Sequence, residues 1–147
     1  MQALRSALLL AILACGCSCG PFLLLPGGKL DGTPKPAPAS FALPGNRDTI
    51  QIETRPEDPY SVNVSGAVVD GKLYVSSGDE PQNWAKNIEA NPLVRARIDG
   101  DLYDLKARRV TDRAELQAFA VVWTSGNTWA RDPMKLGEVW VYQLGPR

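Results

Sequence analysis

Apolar and polar residues alternate with a period of two over Thr49-Ile-Gln-Ile-Glu-Thr54, the pattern of a strand with one buried face. After the turn Arg55-Pro-Glu-Asp-Pro59 the alternation resumes from Tyr60 to Val69, where Gly66 marks a bulge or a close backbone approach. Asp70-Gly71 is a two-residue hairpin signal, and Lys72 to Ser77 returns as the next strand. Gly78-Asp79-Glu80-Pro81 reads as a helix start, with Asp79 as N-cap and Pro81 in the first turn; the helix stops before Pro92. Val94, Ala96 and Ile98 alternate with Arg95 and Arg97, and Asp99-Gly100 turns the chain into a strand from Leu102 to Val110. Asp112-Arg-Ala-Glu115 resembles a capping box that opens a helix through Trp123, and Gly137 to Leu144 closes as a last strand. Six strands in hairpins with two short helices predict a mainly β fold, a small antiparallel barrel over residues 46–147.

A different pattern precedes it. Arg5 and the apolar run Ala7 to Ala14 have the form of a secretory signal, too short to span a bilayer alone. Ile12-Leu13-Ala14-Cys15 resembles a bacterial lipobox, which makes Cys15 the expected lipidation site and 1–20 a lipoprotein signal. Apolar residues resume at Phe22-Leu-Leu-Leu25, so an uncleaved membrane anchor is the alternative. Residues 21–45, rich in Pro and Gly, read as a semi-rigid linker. The chain is thus expected to be exported and held at a membrane, on the periplasmic face for a bacterial lipoprotein.

Charge and composition remove several function classes. Sixteen basic residues balance sixteen acidic ones, which gives no basic field for nucleic acid. The chain has no histidine, which excludes Ser-His-Asp and Cys-His catalysis and most zinc sites. All three cysteines, Cys15, Cys17 and Cys19, lie in the targeting segment, so no metal site is expected. Any chemistry must come from a cofactor or from carboxylates, Tyr, Lys and Arg. The loop and helix start after Lys72–Ser77 are rich in hydroxyl, amide and amine groups, and free helix N–H groups with the positive dipole end attract a phosphate. A bound phosphorylated cofactor is the resulting hypothesis.

The spacing Trp84-x-x-Asn87-Ile88-x-x-Asn91-Pro92-x-Val94, followed by a hairpin and Val110-Thr-Asp112, resembles the pyridoxamine-phosphate-oxidase-like split β-barrel superfamily. Within it the likeness is greatest to the deazaflavin-dependent nitroreductase-like branch. The resemblance implies a six-stranded antiparallel split β-barrel, an FMN or deazaflavin coenzyme across a homodimer interface, and a redox reaction on a small molecule. By position it implies that Ser76, Ser77 and Gly78 face the cofactor, with Asn83, Trp84, Lys86 and Asn87 at the helix start. Arg55-Pro-Glu-Asp-Pro59 stands where that branch usually carries a basic Gly-Arg segment, and Glu57, Asp58, Asp79 and Glu80 add negative charge.

Each of these residues also has a plainer reading. Ser76 and Ser77 satisfy backbone groups at a strand end, Trp84 packs on the barrel, and Lys86 is a surface residue. Arg95, Arg97, Arg108 and Arg109 form a solvated face or contribute to an anion site in a dimer. Tyr60, Tyr74 and Tyr103 are half-buried packing or proton donors, and Thr124 to Thr128, between Trp123 and Trp129, could close over a ligand. The expected function is a membrane-tethered flavin- or deazaflavin-binding protein. The alternative is a non-catalytic binding or structural envelope lipoprotein of the same fold.

Overall fold

Alternation in the sequence becomes alternation across a barrel wall. The computed structural model describes residues 20–78, 80–126, 130–136 and 139–147. Among the described residues seven strands are formed: β1 (Thr33–Lys35), β2 (Arg47–Thr54), β3 (Tyr60–Val69), β4 (Lys72–Ser77), β5 (Leu93–Ile98), β6 (Asp101–Arg109) and β7 (Trp140–Pro146). Helix α1 (Asn83–Ala90) lies between β4 and β5, and α2 (Arg113–Thr124) follows β6. The sheet order is β6-β5-β2-β3-β4-β7, and a further β6–β7 pairing closes it into a six-stranded antiparallel barrel. Closure pairs Leu105–Arg109 of β6 with β7.

Local signals set the hairpins. Asp70 and Gly71 have φ of 48° and 75°, and Asp99 and Gly100 have 50° and 85°, so both turns use the left-handed pair that matches strand twist. At Gly66 the register from β2 through β3 to β4 runs on without a bulge. A Cβ there would sit 3.1 Å from Ile50 Cδ1, so close approach is the reason for glycine.

Inward residues Ile50, Ile52, Val64, Leu73, Val75, Leu105 and Leu144 fill the interior, and α1 closes it with Trp84, Ala85 and Ile88. Outside, α2 lays Phe119 against Ala67, Tyr74 and Val141, a second and smaller core. Asp112 caps α2 as expected, accepting the Glu115 N–H at 2.8 Å. The reciprocal half of the capping box is not made. Glu115 instead accepts from Tyr74 Oη at 2.9 Å and Arg108 Nη2 at 2.6 Å, which staples the helix to the barrel.

That arrangement has a pH signature. The Arg108 bond, opposed by burial and helped by the Tyr74 hydroxyl, holds the Glu115 carboxyl below the ordinary value of 4.5. A depressed carboxylate stabilises the fold above its unfolded pKa and loses that contribution as pH falls through the folded value. Arg108 is half exposed, so the gain is about 1 kcal/mol or less. The urea midpoint of the wild type should exceed that of Glu115→Gln near neutrality, and the gap should close below pH 4.5.

Two expectations need correction. The segment read as a linker is folded onto the barrel from Gly20 onward. Leu30 is 1 % exposed, Phe41 and Leu43 join the core, and β1 pairs in parallel with Asp101–Tyr103, on the edge of β6 that β7 leaves open. Few apolar residues suffice, because each is set at wide spacing on an existing surface and proline limits the entropy lost on ordering. Helix α1 also starts later than expected: Gln82 is its N-cap and Pro81 precedes it, while Asp79 lies outside the described residues. Cys15 and the rest of residues 1–19 lie outside them too.

Candidate functional site

The link from β4 to α1 decides what the site can be. Strand residues alternate sides, so Ser76 faces outward and Ser77 inward. Ser77 is fully buried. Its hydroxyl accepts the Gln82 N–H at 2.9 Å and donates to the Glu80 carbonyl at 3.1 Å, which uses both functions on the chain itself. Gln82 is extended, and its side chain accepts from Trp84 Nε1 at 2.7 Å rather than capping the helix. No acidic residue stands in the first turn of α1.

An uncapped N-terminus of α1 therefore opens on a cleft of about 470 Å³. Gln82, Asn83 and Trp84 form one wall, Tyr60, Val62 and Asn63 the other, and Leu23 and Leu24 the rim. The Gln82 and Asn83 amides and the first-turn N–H groups supply donors, while Tyr60 and Val62 supply an apolar face. Arg55 brings a cation close: its guanidinium lies 5.4 Å from the Tyr60 ring centroid, with Asp58 at 3.1 Å. This donor set suits a ligand with an anionic group and a flat ring, and the volume is in the range of small-molecule sites.

The expected site residues divide. Asn83 and Trp84 border the α1 cleft. Ser76 and Gly78 open instead on an outer groove of about 300 Å³, beside Arg47, Trp123 and Arg131. Trp84 is 2 % exposed and meets Tyr142 edge-on at 5.9 Å, so most of its ring belongs to the core. Asn87 donates to Thr54 Oγ1 at 3.0 Å, inside the fold, and Lys86 is exposed on the helix away from both clefts.

The outer groove is the poorer candidate for an anion. Arg47 stacks over the Trp123 ring at 4.6 Å and donates to the Trp123 carbonyl, so it closes the end of α2. Trp123 also stacks on Phe119 at 5.2 Å. Of the loop expected to close over a ligand, Ser125 and Gly126 border a groove with Arg47, while 127–129 lie outside the described residues.

The hairpin arginines are each engaged. Arg95 pairs with Glu53, Arg97 with Gln51, Arg108 with Glu115, and Arg109 with Glu89 at 3.5 Å while lying over Trp140. Tyr74 and Tyr142 are pushed well above the ordinary phenol value by burial and by carboxylate partners, so neither is a ready proton donor. Sequence reading missed Asn63 and Arg55 as neighbours of the cleft. The missing signal was the cross-strand register of β3.

Comparison with known proteins agrees with this architecture. Residues 56–132, a little over half of the chain, match the model of the family described as F420H(2)-dependent quinone reductase. No curated protein matches. Among solved structures, a Listeria innocua protein provisionally named a pyridoxamine 5'-phosphate oxidase aligns with TM-score 0.54 and 15% identity, over 67% of this chain and 83% of that one. A FAD-binding protein from Mesorhizobium loti aligns with TM-score 0.48 and 17% identity, over 67% of this chain and 78% of that one. The first likeness supports the split-barrel fold expected from the Trp-Asn-Asn-Pro spacing.

Proposed function

The chain belongs to the F420H(2)-dependent quinone reductase family, and on that premise we propose that it binds a flavin-type cofactor in the α1 cleft and reduces a small molecule there. The deazaflavin coenzyme F420 is the first candidate and FMN the second. One observation carries the placement: the first turn of α1, without a side-chain cap or an acid, opens on a cleft that also offers Asn83 and a tyrosine face.

When bound, such a ring supplies hydride transfer, which leaves the protein the tasks of placement and water exclusion. The α1 amides and Asn83 would hold the anionic tail, and Tyr60 and Val62 would border the ring. Ser77 acts at one remove by fixing the 78–82 link that sets where α1 begins. The reading includes a homodimer and a membrane tether through the N-terminal segment, with Cys15 as the lipidated residue. Sedimentation of the full chain and mass spectrometry of its N-terminus check those two parts.

Asn83→Asp tests the site with opposite signs on two readouts. Asn83 is exposed, and the change adds one negative charge at the first helical position with almost no change in shape. A carboxylate at a helix N-terminus should raise folding stability by about 0.3–1 kcal/mol. The same charge should repel a phosphate and weaken F420 or FMN binding roughly tenfold, about 1.4 kcal/mol. Urea melts and fluorescence titrations of the full chain measure both. A gain in stability with cofactor affinity unchanged would remove the anionic tail from α1, and a protein indifferent to both cofactors would end the redox reading.

A further inference from the structure

Among the described residues, five large apolar side chains stand mostly in water, and four are consecutive. Phe22, Leu23, Leu24 and Leu25 are 70%, 72%, 96% and 65% exposed. They form a tight turn in which Phe22 and Leu25 exchange backbone bonds of 3.1 and 2.8 Å. Leu23 has φ of 53°, a left-handed position that glycine or asparagine ordinarily takes. An aliphatic residue there, with two more and a phenylalanine beside it, puts the apolar chains outward at the tip.

The base of the turn is fastened by polar contacts. Asn63 Nδ2 donates to the Leu23 carbonyl at 2.9 Å and to that of Pro21 at 3.4 Å. Its Oδ1 accepts from Gln51 Nε2 at 3.1 Å, and Gln51 Oε1 accepts from Arg97 Nη1 at 3.0 Å, a relay across three strands. Gly27 then pairs with Ser61 through two backbone bonds of 2.8 Å. Held this way, Phe22–Leu25 is neither a length of spanning helix nor a core segment come loose. It is an exposed apolar turn with a polar foot.

We propose that Phe22–Leu25 inserts into the surface of a lipid bilayer and seats the barrel on it. Three features favour a bilayer over a protein partner. Fully burying each such side chain is worth about 1.5–3 kcal/mol, enough in sum for interfacial binding. Four side chains on a convex tip fall short of the roughly 800 Å² per partner that a stable dimer buries. The tip also follows closely in the chain on Cys15, the proposed lipidation site. Leu23 and Leu24 rim the α1 cleft as well, so insertion sets its mouth at the lipid surface.

The test uses the full chain with vesicles of phosphatidylcholine and phosphatidylglycerol, and a Leu24→Trp variant as reporter. Its added emission should shift to the blue on binding and be largely quenched by bromine-labelled lipid, whereas wild-type emission should be little affected. In a chain whose apolar run is broken by Leu9→Asp and Ile12→Asp, vesicle sedimentation should persist. It should then fall tenfold or more when Leu24→Ser and Leu25→Ser are added. A vesicle-bound Leu24→Trp chain whose added emission ignores brominated lipid overturns the tip and leaves the tether standing. A wild-type mature N-terminus without lipid, together with vesicle binding no tighter than that of the Leu9 and Ile12 variant, overturns the tether and leaves the tip. Emission that shifts with protein concentration and without vesicles shows self-association and overturns the bilayer as occupant.

Discussion

Glu53→Ala is expected to cost about 3 kcal/mol of folding stability and to free the N-terminal segment from the barrel. Glu53 is 4 % exposed and sits beneath that segment. Its two oxygens take Arg95 Nε at 2.9 Å and Nη2 at 2.6 Å, a bidentate pair, while Oε2 also accepts the Leu30 N–H at 2.6 Å. Arg95 Nη2 reaches the Leu30 carbonyl at 3.4 Å, so the pair clasps both sides of one residue. Removing the carboxylate leaves a largely buried guanidinium and a buried N–H without their acceptor, and such orphaned groups cost far more than the pair contributes. Urea denaturation measures the loss. Trypsin gives the structural readout, with new early cleavage after Lys29, next to the released Leu30. A loss below about 0.5 kcal/mol, the size of an exposed pair, would mean that the segment does not depend on this contact. In Glu53→Leu/Arg95→Leu much of the loss should return, because no charge is then stranded.

Trp84→Ala should be of similar size, about 3–5 kcal/mol, for a different reason. Trp84 is the largest fully buried side chain at the α1 end of the barrel, against Tyr142 and beside Ile88 and Ala85. Its loss opens a cavity that the closed β wall cannot collapse to fill. Trp84→Phe separates packing from polarity: most of the volume stays, but the Gln82 side chain loses its donor, at about 1 kcal/mol. If Trp84 instead served mainly as a stacking platform, Trp84→Ala would spare the urea midpoint and abolish cofactor binding. The buried ring predicts the reverse order of effects for Trp84→Phe, with binding retained and stability modestly reduced.

Why the sequence revealed some of this and not the rest follows from the range of each interaction. The spans Tyr60–Val69 and Lys72–Ser77 were legible to the residue, because alternation and the Asp-Gly turn are decided by neighbours. The start of α2 was equally local, since Asp112 needs only the N–H three residues on. Helix α1 was misplaced at its start because Ser77, five residues away, holds the link that the expected N-cap and proline were thought to shape. A single contiguous site from Ser76 to Asn87 was also expected, and the alternation of strand faces breaks that surface in two.

What the sequence determined alone was the six barrel strands, their turns, the resemblance carried by Trp84, Asn87, Asn91 and Pro92, and the exclusion of histidine chemistry. Those depend on neighbours in the chain or on composition. Tertiary structure alone decided that residues 20–45 fold, since Leu30 has no value as a core residue until β2 and β5 bring Glu53 and Arg95 beside it. It also decided which of two clefts receives the helix N-terminus, and that Asn63 and Tyr60 stand opposite Asn83. Such placements join residues some twenty or more positions apart, and they exist only once the barrel has closed.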